Sequence, residues 1–65
     1  MIKVNGNPIS YEPGKTVEVL LAEQGYLQGR IAVERNGEIL PKARYGQTPV
    51  EDGDVYEVVN FVGGG

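Results

Sequence analysis

The chain has 65 residues, with six Lys or Arg against nine Asp or Glu, a formal charge of −3, and neither histidine nor cysteine. A chain this short makes one domain and buries only about 60% of its unfolded surface, so its stability is modest. The composition excludes structural zinc, thiolate catalysis and imidazole acid–base chemistry within the chain, and the acidic balance argues against nucleic acid.

In chain order, "MIKVN" alternates Ile2 and Val4 inward with Lys3 outward, the period of a half-buried strand. "NGNP" is dense in turn residues, and "ISYE" alternates again, so the two runs predict a hairpin. "PGKT" punctuates, with Thr16 placed as a helix N-cap and Glu18 in the favourable first turn. "VEVLLAEQ" puts Val17, Leu20, Leu21 and Gln24 on one helical face, and Gly25 supplies the stop. "IAVER" reads as a third strand, "NGE" as a turn, and "ILP" as at most a short fourth strand because Pro41 cannot donate to a ladder. Residues 42–50 read as an irregular excursion and "EDGD" as a turn. "VYEVVNF", rich in β-branched and aromatic residues, is the last strand.

A lone amphipathic helix must bury its stripe, and a sheet offers the available apolar face. The expected class is α+β, a mixed sheet of four to five strands packed on one helix. Its expected core is Ile2, Val4, Ile9, Tyr11, Val17, Leu20, Leu21, Val33, Tyr56 and Val58. In the last strand Glu57 marks the solvent side, because unpaired carboxylates are almost never buried. Val55, Val59 and Phe61 share that side, and an aromatic with a β-branched neighbour on a surface suggests a contact site.

Three short motifs carry little chemistry. "PGKT" resembles the end of a phosphate-binding loop, but the glycine required five positions before Gly14 is Ile9. "EDGD" lacks the following ligand array of a calcium loop. Ser10 has no histidine to activate it. Arg30, Arg35, Lys42 and Arg44 read as a solvated basic face. No constellation runs a reaction alone, so the chain is expected to be a cosubstrate of other enzymes rather than an enzyme, with no cofactor and no metal of its own.

The end of the chain is "NFVGGG". Glycine loses more freedom on ordering than any other residue, so a triglycine gives nothing to a fold. Gly63, Gly64 and Gly65 form a thin thread that extends on the order of 10 Å. The α-carboxylate of Gly65, with a reference pKa of about 3.5, is a poor electrophile at neutral pH and must be activated before it accepts a nucleophile. An acyl adenylate made from ATP by a partner enzyme is the expected route. Ordering the thread costs roughly 1–2 kcal/mol per residue, which a docking patch at Val59 and Phe61 would offset.

These features together resemble the ubiquitin-like sulfur carriers. "VNG", "TVEVLL", "AVERNGEILP" and "EDGDVYEVVNFVGGG" are most similar to the ThiS family of thiamin biosynthesis. The resemblance implies a β-grasp domain over residues 1–62, with first and last strands parallel and central, and a flexible glycine tail over 63–65. It implies that an E1-like (ThiF-like) adenylyltransferase activates Gly65 with ATP and Mg²⁺. A sulfur relay from a cysteine desulfurase then makes a thiocarboxylate, which donates sulfur to thiazole synthase (ThiG-like). Val62, Gly63 and Gly64 would occupy the partner's channel, and Val59 and Phe61 would dock. The small carrier subunit of molybdopterin synthase, carriers serving cysteine or tungsten-cofactor synthesis, a conjugating modifier, and a non-covalent β-grasp interaction module remain alternatives. The absence of cysteine, of a roughly 20-residue apolar run and of a signal-peptide core leads to the expectation of a cytoplasmic protein without membrane partners.

Overall fold

The computed structural model describes residues 1–26 and 28–61. Five strands, β1 (Ile2–Val4), β2 (Asn7–Ile9), β3 (Ile31–Arg35), β4 (Glu38–Leu40) and β5 (Val55–Asn60), form one mixed sheet in the order β2-β1-β5-β3-β4. β1 and β5 pair in parallel at inner positions, as the resemblance implied, and every other pairing is antiparallel.

Both hairpins turn on Asn-Gly. Asn5 and Gly6 have φ of 50° and 81°, and Asn36 and Gly37 have 52° and 85°. Two successive left-handed residues match the natural twist of a two-residue hairpin, and Asn and Gly tolerate that conformation best. The first hairpin is tighter than the alternation of "ISYE" suggested. β2 begins at Asn7 and pairs Ile2 with Ile9, Lys3 with Pro8 and Val4 with Asn7, leaving Tyr11 outside the strand. Proline is accommodated because β2 is an edge.

The helix α1 (Val17–Glu23) starts at Thr16, whose hydroxyl accepts from the Val19 amide at 3.3 Å. It ends with the Tyr26 amide on the Leu21 carbonyl, the Gly25 amide on the Ala22 carbonyl and Gly25 at φ 83°. This pair of reversed bonds satisfies carbonyls that the last turn would leave open. Val17, Leu20 and Leu21 are buried, whereas Gln24 caps the helix and is exposed, contrary to its assignment to the apolar face.

Residues 42–50 are more ordered than their composition suggests. A 3₁₀ helix spans Lys42–Gln47, and the chain then bridges Pro49 to Thr16 at the start of α1. The Val17 amide donates to the Thr48 carbonyl and the Val50 amide to the Lys15 carbonyl, so this segment is tied to the helix entrance. It carries Tyr45 and Val50 into the core. Burial pushes the Tyr45 phenol up from its ordinary pKa. At Gly46 the fit is close, since a Cβ there would meet Glu18 Oε1 at 3.0 Å.

The buried cluster contains Ile2, Val4, Val17, Leu20, Leu21, Ile31, Val33, Tyr45, Val50, Tyr56 and Val58. Ile9 and Tyr11, expected inside, are only partly buried against it. Ile9 ends the edge strand β2, and Tyr11 lies beyond it.

Candidate functional site

The last strand joins two contrasting environments. At its start, Asp54 is the buried polar residue of the core region, 4% exposed. Its carboxylate accepts from the Tyr56 hydroxyl at 2.7 Å, the Glu51 amide at 2.9 Å, the Asn36 side chain at 3.0 Å and Arg35 Nε at 3.1 Å. Burial alone would raise the Asp54 pKa, but these donors outweigh it and hold the carboxyl below its ordinary value. Burial, reinforced by the bond to Asp54, pushes the Tyr56 phenol well above its usual range. Arg35 also reaches Glu51 at 3.1 Å, so it is not part of a free basic face. The "EDGD" turn is a structural knot: Asp54 collects four donors, while Glu51 pairs with Arg35 and Asp52 with the Met1 amino group.

Two asparagines then clamp β5 from opposite sides. Asn36 Oδ1 accepts from the Val55 amide at 2.9 Å, while the Asn36 backbone N–H donates to the Val55 carbonyl at 2.7 Å. On the other flank, Asn5 Oδ1 accepts from the Val58 amide at 2.7 Å, and Asn5 Nδ2 donates to the Val58 carbonyl at 3.1 Å and to the Tyr26 hydroxyl at 3.0 Å. β1 has ended by this point, so the Asn5 carboxamide stands in for the backbone of a further β1 residue. The turn signal at Asn5 and Asn36 was readable; this second duty was not, because it depends on where β5 lies.

Beyond Val58 the strand is held from the β3 side. Asn60 faces Ile31, and the Phe61 amide donates to the Arg30 carbonyl at 2.7 Å. The Val59 and Phe61 side chains emerge on the sheet face opposite the helix. Val59 is 57% exposed and Phe61 55%, and the 42–50 segment, packed at the helix, leaves them open. Val55 and Ile39 extend the apolar surface, and the register sets Ala32 beside Val59 and Ile39 beside Glu34. The expected residues Val62, Gly63, Gly64 and Gly65 lie outside the described residues. So does the boundary between domain and tail.

Among the described residues there is no cavity and no group of three acidic side chains placed to hold a metal. Nor is any helix there long and apolar enough to cross a membrane. What the molecule presents is a surface, partly apolar, that leads along β5 into a glycine-rich segment.

The ThiS family model matches residues 2–65. The chain belongs to the ThiS family. Family members named as sulfur carriers match along their whole length: the sulfur carrier protein ThiS of Bacillus subtilis is 39% identical over all of both chains. A thiazole synthase of Paramagnetospirillum magneticum is 48% identical over 95% of this chain, which spans only 19% of that relative's length. The crystal structure of a thiamine biosynthesis protein (ThiS) from Geobacter metallireducens superposes with a TM-score of 0.76 at 37% identity, covering 98% of this chain and 97% of that one. The ThiS fold is the ubiquitin-like β-grasp, and the five-stranded mixed sheet with its helix is that fold. Relatives of this chain are named sulfur carrier protein ThiS and thiamine biosynthesis protein.

Proposed function

We propose that this chain carries sulfur for thiazole formation on its C-terminal glycine. An E1-like adenylyltransferase, using ATP and Mg²⁺, joins the Gly65 carboxylate to AMP and releases pyrophosphate. Persulfide sulfur supplied through a cysteine desulfurase relay displaces AMP to form an acyl disulfide. A thiol then attacks the relay-side sulfur, forming a disulfide with it, supplying the two electrons and releasing the thiocarboxylate. Softer and more nucleophilic than a carboxylate, the thiocarboxylate donates its sulfur to thiazole synthase while the folded body keeps it tethered. Val62, Gly63 and Gly64 thread the partner's channel, and Val59 and Phe61 dock the body outside it. The chain then acts as a cosubstrate in the cytoplasm and performs no catalysis itself.

The observation that carries this reading is the family match, which runs through the terminal glycines. The exposed Val59 and Phe61 immediately before them give support. A thiazole synthase that contains a segment like this chain supports that enzyme as the sulfur acceptor.

The test is intact-mass analysis after incubation with ATP, Mg²⁺, the cognate adenylating enzyme and a sulfur source. One oxygen is expected to be replaced by sulfur. Deleting Gly65 should abolish the change and leave the melting temperature where it was. An unchanged mass in the full chain overturns the reading, and an unfolded deletion variant would make the glycines structural.

A further inference from the structure

We propose that the open sheet face takes a thiazole synthase surface carrying an arginine or lysine, seated over Glu34 and Glu57 within an apolar surround. The inference rests on the reading that the carrier docks by this face, and it specifies the chemistry of what docks.

Glu34 lies directly opposite Glu57 in the β3–β5 ladder. The bonds from Asn36 to Val55 and from Phe61 to Arg30 bracket the ladder and fix its alternation, so this is one of its hydrogen-bonded pairs. Their Cβ atoms are therefore about 5 Å apart on one face, an arrangement that is unfavourable for like charges. Five of the other seven acids have cations: Glu12 and Glu23 meet Lys15, Asp52 meets the Met1 amino group, and Glu51 and Asp54 meet Arg35, while Glu18 and Glu38 form no ion pair among the described residues. Neither Glu34 nor Glu57 forms an ion pair among the described residues. Lys3 shares their face, one register step away opposite Val55, and does not close on them.

The pair stands amid exposed apolar side chains. Ile39 flanks Glu34, and Val55 and Val59 flank Glu57 two residues either way along β5. A partner that covers Val59 and Phe61 therefore strips water from both carboxylates. Desolvated carboxylates left unpaired oppose binding strongly, whereas a cation placed between them relieves both the desolvation and their mutual repulsion. A guanidinium suits the task, because its planar fork can serve two carboxylates at once. A second copy of this chain, face to face, would bring four carboxylates together and is disfavoured. The thiazole synthase is the occupant assigned because a relative carries a similar segment within a thiazole synthase polypeptide.

The experiment is calorimetric titration of the cognate thiazole synthase with wild type, Glu34→Gln, Glu57→Gln, the double variant and Phe61→Ala, at low and high salt. Each single glutamine variant should weaken binding about tenfold and the double about a hundredfold, with much of the salt dependence gone. The melting temperature of the free double variant should be equal to or above that of wild type. If the double variant binds as tightly as wild type while Phe61→Ala binds weakly, the face docks without a cation and the inference fails alone. Should neither matter, the docking reading falls with it. Should the glutamine variants affect only the adenylating enzyme, the assigned occupant is wrong.

Discussion

The two ends of β5 are treated differently by the rest of the molecule. At Asp54 and Tyr56 the chain is buried, and one carboxylate collects four donors from β3, its following turn, the preceding loop and β5 itself. At Phe61 a backbone bond to Arg30 holds the strand while the ring stands open to solvent. Anchorage at one end and exposure at the other lie only seven residues apart. A small domain with little stability to spare concentrates its polar order where the strand begins. It leaves the other end exposed to solvent, and Asn5, clamping Val58, marks the boundary.

The sharpest way to break this contrast is at Asp54. Asp54→Asn removes the charge facing Arg35 and leaves several donors competing for a weaker acceptor. It should cost about 3 kcal/mol in chemical denaturation, a large part of the stability of so small a domain. The pH dependence gives a second readout. Asp54 has a folded-state pKa below its unfolded value, so its contribution is fully present above the ordinary aspartate value of about 3.9. That contribution is lost as pH falls below this value toward the depressed folded pKa. The variant should therefore show a flatter acid limb of stability against pH than wild type; parallel acid limbs would remove Asp54 from its central place.

At the opposite end the expectation reverses. Phe61→Ala should weaken partner binding by about 2 kcal/mol and shift the melting temperature little, because the ring is already more than half exposed. A large thermal shift with unchanged affinity would move Phe61 from the contact surface into the fold. The smallest effect belongs to the boundary. Asn5→Gly keeps the left-handed turn but deletes the carboxamide, and should lower stability by about 1 kcal/mol. Amide hydrogen exchange at Val58 should accelerate more than at Val55, where Asn36 still holds. Equal acceleration at both would mean the two clamps are not independent.

Much of this architecture could be read from local pattern. The alternation in "MIKV" and "VYEVVN" placed Ile2, Val4, Tyr56 and Val58 inside, and the 3–4 spacing of Val17, Leu20 and Leu21 produced the helix stripe. The same alternation set Val59 and Phe61 beside Glu57 on the outer face, where they lie. Other features were illegible for a definite reason. Tyr45 and Val50 sit in a stretch without periodicity, and their burial follows from the ties of residues 48–50 to Lys15 and Val17. Arg35 looked like one more surface cation until the fold brought it against Asp54 and Glu51.

Periodicity, turn chemistry and helix capping act between residues a few positions apart, so the order of elements, both Asn-Gly turns and the side of β5 that meets water were settled by the amino-acid string. Which polar groups end up partnered was settled by folding. Asn5 bonds Val58 across 53 positions and Arg35 bonds Asp54 across 19. A hydrogen bond or ion pair requires its atoms to meet within about 3 Å, and no spacing rule in a linear chain specifies such meetings.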